Sequence, residues 1–226
     1  MVVYSSVSRF RTRRGRRLRR LIAQLADNLG RDITILDLGG RPGYWRNVGL
    51  ENIARIELLN IEPAELGRDL DGLPPDLFVS RIGNACRLID YPSGSVDLVH
   101  SNSVIEHVGS WGSMRAKAEE MMRVGRAGWM QTPAWGFPLE PHFRTLFMHW
   151  FGRPLQSRLM GLSFDARVRR SSLDIRRRRI DSVNLLGRRE VRALFPDRAL
   201  YVERLMLWPK SYVIHWPALD GGVPAP

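Results

Sequence analysis

Cysteine, lysine and long apolar runs are scarce in this sequence. The one cysteine, Cys86, excludes an internal disulfide, which fits a reducing compartment. No apolar stretch approaches the roughly 20 residues that a membrane-spanning helix needs. The apolar run at residues 21–26 is also too short for the core of a secretory signal. These absences argue against a disulfide-stabilised or membrane-spanning protein and predict a cytoplasmic one, peripheral at a membrane at most.

Positive charge carried by arginine is in excess. Lysine and arginine total 35 against 23 acidic residues, a formal net charge of +12, and Lys117 and Lys210 are the only lysines. The arginines concentrate in residues 9–20 and 167–179. The two clusters fit three interpretations: contact with an anionic membrane surface through a basic helix at 9–29, contact with nucleic-acid phosphates, or solvated faces without a partner. Nucleic acid is the weaker of the two partner predictions, and the oligomeric state is left open.

Apolar periodicity predicts helices that alternate with strands. Leucine and isoleucine at helical spacing predict a helix over residues 16–29 within the basic N-terminal segment, and Ser113 is the expected N-cap of a helix over 114–124. A further helix is predicted over 188–195. Short apolar runs predict strands at residues 33–38, 55–61, 77–82, 96–101 and 127–131, followed by a late pair within 199–216. This alternation is typical of an α/β fold with a parallel sheet, and the late pair favours a hairpin at the sheet edge.

The stretch from about residue 133 to 185 interrupts the alternation. It is rich in proline and aromatic residues and contains the second arginine cluster. We interpret the whole chain, 1–226, as one domain in which this stretch is an insertion that covers the ligand pocket. Its aromatic residues are then either the core of this lid or a platform on which the acceptor stacks.

Polar residues and glycines stand at the ends of the predicted strands. The first strand runs into DLGGRPG, residues 37–43, and later strands end at Glu62, Asn84 and Ser101. In open parallel sheets, ligands bind at the carboxyl ends of the strands. A carboxylate such as Glu62 is suited to accept hydrogen bonds from both hydroxyls of a ribose, and the Asn84 amide offers a donor and an acceptor to an adenine edge. Each residue taken alone would equally suit the end of any buried strand.

Three segments together resemble the successive motifs of class I S-adenosylmethionine-dependent methyltransferases. They are ILDLGGRPGYW, LNIEP and GNACRLIDYPSGSVDLVHSNSVIEHV, and the resemblance covers about residues 33–131. It is closest to small-molecule methyltransferases of bacterial type. The resemblance implies S-adenosylmethionine as cofactor. It also implies a Rossmann-like, seven-stranded, mostly parallel sheet with helices on both faces and an antiparallel last strand.

The resemblance implies a set of cofactor-binding residues, all of which follow a strand. They are Asp37, Gly39, Gly40 and Gly43 around the methionine part, Glu62 at the ribose, Pro63, Asn84 and Ala85 at the adenine, and Ser101 below the sulfonium.

Two positions depart from the family pattern. Asn84 replaces an acid, which is a mild change because an amide still bonds the adenine amino group. Arg41 stands where the family has its middle glycine. Either Gly40 supplies the backbone freedom of the turn, or Arg41 takes a positive φ at a cost of roughly 1 kcal/mol. A nicotinamide-binding turn is disfavoured because the glycines do not follow the Gly-x-Gly-x-x-Gly spacing.

Three residues are candidates for the acid–base chemistry that an oxygen acceptor requires: His107, His142 and Glu140. Structural alternatives stand beside them. His107 is equally suited to bond a backbone carbonyl, and Glu140 to pair locally with Arg144. The spacing of histidines and of Cys86 predicts no metal site.

The sequence thus predicts an S-adenosylmethionine-dependent methyltransferase that acts on a small-molecule or lipid-linked acceptor, with a saccharide intermediate among the candidates. Two alternatives remain. The first is an RNA methyltransferase, although SNSV at residues 101–104 lacks the NPPY-type motif of amino-methylating enzymes. The second is a non-catalytic scaffold with a methyltransferase fold, for which Arg41 is the main support.

Overall fold

A computed structural model of the protein describes residues 9–62, 70 and 72–217. The first described element is helix α1, Arg9–Leu29, which has the bounds of the predicted basic helix 9–29 and includes the residues 16–29 that show apolar periodicity. Its second half buries an apolar face of leucine and isoleucine, as the spacing predicts, whereas Arg14 in its first half is bonded to Glu203 near the C-terminal part of the sheet. Pro63, predicted to contact the adenine, lies outside the described residues.

Five parallel strands form the first part of the sheet. In chain order, the elements are β1 (Ile33–Leu38), α2 (Pro42–Val48), β2 (Ile53–Asn60), β3 (Phe78–Ile82), β4 (Val96–Asn102), α3 (Trp111–Val124) and β5 (Gly125–Pro133). The predicted cap of α3 was wrong: Ser110 is the N-cap, and its hydroxyl accepts a hydrogen bond from the Ser113 N–H at 3.1 Å. Both serines suit a cap, but Ser113 lies one turn too late.

The insertion and the C-terminal hairpin follow. The insertion contains the short strands β6 (Leu139–Glu140) and β7 (Thr145–Leu146) and the helices α4 (Arg153–Leu159), α5 (Ala166–Arg169) and α6 (Leu173–Asp181). It has a small core of its own, formed by Phe143, Met148, Met160, Val168 and Ile180. The chain then returns to the sheet through α7 (Arg188–Leu194), β8 (Ala199–Leu205) and β9 (Trp208–Trp216).

The sheet has seven strands in the order β3-β2-β1-β4-β5-β9-β8. Strand β9 runs antiparallel to both of its neighbours, which confirms the predicted fold class with its reversed last strand. Helices cover both faces: Ile35 and Trp45 belong to a core shared with α1, whereas Leu36 and Val99 pack with α3 and α7. None of the described helices combines the length and apolar character that a membrane crossing requires.

Strand register places the carboxyl ends of the inner strands side by side. Leu38 of β1 pairs with Leu59 of β2, and Asp37 pairs with His100 of β4. Residues that follow these strands therefore share one edge of the sheet, where ligands bind in folds of this type.

Candidate active site

In the turn after β1, the residue with the unusual backbone conformation is a glycine. Gly39 has a φ of +78°, a conformation that side chains rarely adopt, and a Cβ atom there would lie 2.8 Å from Val104. A Cβ atom on Gly40 would overlap the carboxylate of Asp37. Arg41, by contrast, has φ −134° and ψ 148°, which is extended backbone. The arginine is therefore accommodated without strain, and the scaffold hypothesis loses its main support.

The Asp37 side chain links this turn to α2 and β4. Its buried carboxylate accepts a hydrogen bond from Trp45 Nε1 at 2.8 Å through one oxygen, and the other oxygen lies 2.6 Å from His100 Nδ1. Both oxygens thus have partners inside the protein. The sequence did not predict these partners, because Trp45 is on the next helix and His100 on another strand.

The end of β2 clamps the same turn. The Gly39 N–H donates to the Leu59 carbonyl at 2.8 Å, and the Asn60 side-chain amide donates to the Gly40 carbonyl at 3.1 Å. The course of the main chain through the turn is therefore set by its neighbours in the sheet.

The remaining cofactor candidates lie along the same edge. Glu62 is exposed just beyond β2, and Gly43 lies in the first turn of α2. Asn84 is exposed and its Oδ1 accepts from the Cys86 N–H at 2.9 Å, whereas the neighbouring Ala85 is almost buried. Ser101 is buried and its hydroxyl donates to the Leu38 carbonyl at 3.3 Å. Their roles toward a cofactor stay predictions.

A second polar group lies beyond the end of β4, centred on Glu106. This side chain is fully buried, and its Oε2 accepts a hydrogen bond from Thr132 Oγ1 at 3.0 Å. Its Oε1 lies 3.9 Å from His142 Nε2 and has no hydrogen-bond partner among the described residues. Burial raises the pKa of Glu106, although the nearby His107 and His142 oppose this shift.

His142 is oriented by Glu140. Its Nδ1 lies 2.7 Å from Glu140 Oε1, and Glu140 Oε2 accepts from the Phe143 N–H at 2.6 Å. Burial lowers the pKa of His142, but the hydrogen bond and charge of Glu140 and the charge of Glu106 outweigh it, so the pKa is raised overall. The observed partners of Glu140 are thus His142 and Phe143 rather than the suggested Arg144.

His107 completes this group at the surface. Its Nδ1 lies 3.0 Å from the Ser182 carbonyl, and its ring meets that of His142 at 90° with 4.8 Å between centroids. The structure therefore brings together all three residues predicted for acid–base chemistry. Sequence reasoning omitted Glu106, although it directly precedes His107 in the EHV segment. We call Glu106, His107, Glu140 and His142 the acidic–histidine cluster.

A cavity of about 520 Å³ adjoins this cluster. Its walls include Glu140, Trp135 and His149 together with Trp111 and Asn184. Among the described residues, none of those predicted to bind the cofactor lines it. Glu140 is the member of the cluster that the cavity contacts.

The aromatic residues of the insertion divide between two environments. Phe143 is buried in the small core of the insertion, whereas Trp135 and Phe151 are each 46% exposed and Phe147 is 41% exposed. The aromatic residues thus serve as lid core only in part.

Many arginines of the two basic clusters bond within the protein. Arg14 donates to both carboxylate oxygens of Glu203 and to Asn102, and the Arg17 guanidinium lies 3.6 Å above the Tyr201 ring centroid. In the second cluster, Arg176 donates to backbone carbonyls of the insertion. The clusters are therefore partly structural, and the apolar face of α1 is buried in the core and not available to a lipid surface.

Comparison with known families matches residues 10–158 to the methyltransferase domain family. The match extends over more than half of the chain. The chain belongs to this methyltransferase family. The match, together with the fold, identifies a class I S-adenosylmethionine-dependent methyltransferase domain, as the motifs predicted.

A curated relative is an uncharacterized methyltransferase from Mycolicibacterium gilvum (strain PYR-GCK). It is 33% identical over 103 residues, which cover 43% of this chain and 37% of the relative. The chain thus spans little more than a third of the length of the curated relative it matches. The bacterial source of the relative is consistent with the bacterial type of the motifs.

Solved structures show the same fold at low sequence identity. Monomeric WbdD, described as a bifunctional kinase-methyltransferase, is 17% identical with a TM-score of 0.55, over 93% of this chain and 42% of WbdD. The CurJ carbon methyltransferase is 12% identical with a TM-score of 0.55, over 89% of this chain and 53% of that one. These neighbours establish the fold and leave the acceptor open.

Proposed function

We propose that this methyltransferase transfers the methyl group of S-adenosylmethionine to an oxygen atom of a small-molecule or lipid-linked acceptor, with saccharide intermediates as the leading class. The observation that carries the proposal is the pairing of Glu140 with His142 beside the buried Glu106, next to a cavity of about 520 Å³. A neutral amine attacks through its lone pair without losing a proton first, whereas a hydroxyl is a weak nucleophile until a base removes its proton.

The residues along the sheet edge suit the cofactor. The turn presents its main chain at Gly39 and Gly40, Glu62 offers an exposed carboxylate to the ribose hydroxyls, and Asn84 offers an exposed amide to the adenine. When bound, S-adenosylmethionine supplies a methyl group already activated on a sulfonium. The protein then has mainly to orient the two reactants.

The acid–base geometry suits a hydroxyl acceptor. The acceptor oxygen forms a new bond to the methyl carbon as the carbon–sulfur bond breaks, and the sulfur leaves as the thioether of S-adenosylhomocysteine. With Nδ1–H of His142 bonded to Glu140, Nε2 is the nitrogen that accepts the hydroxyl proton. Glu140 thereby fixes the tautomer and stabilises the imidazolium.

Two measurements test this proposal. Isothermal titration of the folded chain with S-adenosylhomocysteine should show saturable binding at one site. Incubation with methyl-labelled S-adenosylmethionine and fractionated bacterial lipids, saccharides or RNA should place the label in the lipid or saccharide fraction as an alkali-stable methyl ether. Absence of S-adenosylhomocysteine binding, or label confined to RNA, would overturn the proposal.

We further propose that the β8–β9 hairpin holds the enzyme at an anionic membrane surface. Met206 and Leu207 at its tip are each 88% exposed. A basic residue lies beside the tip, because Arg204 Nη1 donates to the Leu207 carbonyl at 3.1 Å, and Lys210 follows three residues after Leu207. Apolar side chains flanked by cations suit the headgroup region of anionic lipids. Here the arginine-rich helix supplies charge, and the hairpin supplies the apolar anchor.

Vesicle sedimentation tests the hairpin. A Met206→Ser/Leu207→Ser variant should sediment at least about tenfold less with phosphatidylserine-containing vesicles, since two apolar side chains are lost from the anchor. Leu162→Ser, at a site 72% exposed in the insertion, is the matched control and should sediment like the original chain. Equal sedimentation of the hairpin variant would contradict the proposal, as would failure of the original chain to sediment.

A further inference from the structure

We infer that Glu106, His107 and His142 form a binding site for one divalent transition-metal ion. This inference rests on the proposed function, because the ion would act on the acceptor of the same site. Each of the three residues offers one ligand atom, and these atoms all lie within 4.8 Å of one another. They come from the segment after β4 and from the insertion, so the fold assembles a group that sequence spacing does not reveal.

The distances suit a single ion. Ligand atoms that are each about 2.1 Å from a zinc ion lie at most about 4.2 Å apart. Glu106 Oε1 and His142 Nε2 are 3.9 Å apart and meet this limit already. At the tetrahedral angles of a zinc site the ligand atoms lie roughly 3.4 Å apart, so the widest separation in the group has to close by up to roughly 1.4 Å when an ion binds.

Both histidines are oriented as metal ligands usually are. A ligating histidine donates its second ring N–H to a carboxylate or a backbone carbonyl, which fixes the tautomer and the ring direction. Here Nδ1 of His142 is bonded to Glu140, and Nδ1 of His107 to the Ser182 carbonyl. In each ring this leaves Nε2 as the unprotonated nitrogen, and Nε2 of His142 faces Glu106.

The carboxylate supplies an independent observation. Glu106 is fully buried, and while Oε2 is bonded to Thr132, Oε1 has no hydrogen-bond partner among the described residues. A buried acceptor without a partner is costly and calls for an explanation. It lies beside His142 Nε2, where an ion bound to both atoms would satisfy it.

The donor set selects the class of ion. Two imidazoles and one carboxylate suit zinc, iron(II) and related transition metals, whereas magnesium and calcium prefer oxygen ligands. Three protein ligands also leave positions open for a substrate. In the ion-bound enzyme an acceptor hydroxyl occupies such a position, its pKa falls, and its proton passes to solvent. The ion would then replace His142 Nε2 as the group that promotes proton loss.

Titration of zinc or manganese(II) into the chelator-treated chain tests the site. The original chain should bind one ion, and His142→Ala and Glu106→Gln should each weaken the affinity about 100-fold or more, because even outer partners of ligands change affinity about 10–100-fold. His149→Ala removes a nearby histidine that is bonded to the Trp135 carbonyl instead, and should leave the affinity unchanged.

The same samples separate this inference from the proposed function. Each is titrated with S-adenosylhomocysteine and checked for folding by circular dichroism. A folded chain that binds S-adenosylhomocysteine but no ion, or that binds ions equally well after the Glu106 and His142 substitutions, overturns the metal site alone. A chain that binds the ion but no S-adenosylhomocysteine overturns the proposed function.

Discussion

The turn after β1 and the cluster after β4 are both polar, and both lie at the carboxyl edge of the sheet, but they differ in how completely they are satisfied. In the turn, both oxygens of Asp37 have partners and the glycines are shaped by packing against Val104 and Asp37 itself. In the cluster, Glu106 is equally buried and has one oxygen without a partner among the described residues.

The turn after β1 is therefore a preformed part of the site, whereas the cluster is expected to become more stable when a ligand binds. Two partners offset the cost of burying a carboxylate and are costly to remove, whereas a buried carboxylate with one open oxygen costs stability until a ligand arrives. Natural proteins keep such costs mainly where function needs them. Substitutions in the turn are therefore expected to lower the stability of the fold, whereas substitutions in the cluster are expected to lower activity.

The largest effect is expected at Gly40. In Gly40→Ala the new methyl group overlaps the Asp37 carboxylate, so the turn or the Asp37 bonds must shift, at a cost of about 3 kcal/mol or more. Chemical denaturation measures this loss. The matched control is Gly112→Ala in α3, where the methyl group meets only Ser110 Oγ at 3.7 Å and should be neutral or slightly stabilising. Equal stability of the two variants would show that the turn is not prebuilt.

The next-largest effect on stability is expected at Lys117, whose pKa is influenced by charged residues of both the turn and the cluster. Burial lowers its pKa from 10.5 to about 8, opposed by the charges of Cys86, Glu106 and Asp37. Between these pH values Lys117 holds its proton in the unfolded chain and has lost it in the folded chain, so the contribution of Lys117 to stability should rise with pH from about 8 to 10.5. The rise should be on the order of 3 kcal/mol.

Lys117→Met tests this pH dependence. The variant should lose most of the rise and be more stable than the original chain at pH 7, where the buried ammonium is charged. Melting temperatures across this pH range give the comparison. A parallel pH profile in the two proteins would mean that Lys117 does not titrate in the folded state.

A smaller effect, with opposite signs, is expected when each carboxylate becomes an amide. Asp37→Asn should destabilise by about 2 kcal/mol, because an amide cannot accept from both Trp45 and His100 in their present states. Glu106→Gln keeps the acceptor for Thr132 and removes a buried charge, so in chelator it should raise stability by about 1 kcal/mol. If both variants lose similar amounts of stability, the proposed difference between the turn and the cluster is wrong.

The strands of the sheet could be predicted from the sequence because each is marked by a local pattern of residues. Apolar runs such as residues 33–38 and 96–101 and the glycine turn mark strands and their ends without knowledge of distant contacts. The bounds of the basic helix, 9–29, were also predicted correctly, although apolar periodicity marks only residues 16–29. The first turns of the helix are supported by the Arg14–Glu203 bond, which joins α1 to β8 and which no local pattern reveals.

Several residues of the site could be predicted from the sequence, but the contacts between them could not. His107, Glu140 and His142 were chosen for their chemistry alone. That Glu106 lies beside His142 depends on how the insertion folds back over β4 and β5, and no spacing records this. The partners of Asp37 were missed for the same reason, since Trp45 and His100 reach it from separate elements.

The central claim is that the sheet edge binds the cofactor and the cluster handles the acceptor. The most direct test titrates S-adenosylhomocysteine into Glu62→Ala and Glu106→Gln side by side. We predict that Glu62→Ala binds about 10–100-fold more weakly, because charge-assisted bonds to the ribose are lost, while Glu106→Gln binds like the original chain but does not transfer methyl groups. Unchanged affinity in Glu62→Ala, or an equal loss in Glu106→Gln, would contradict the account.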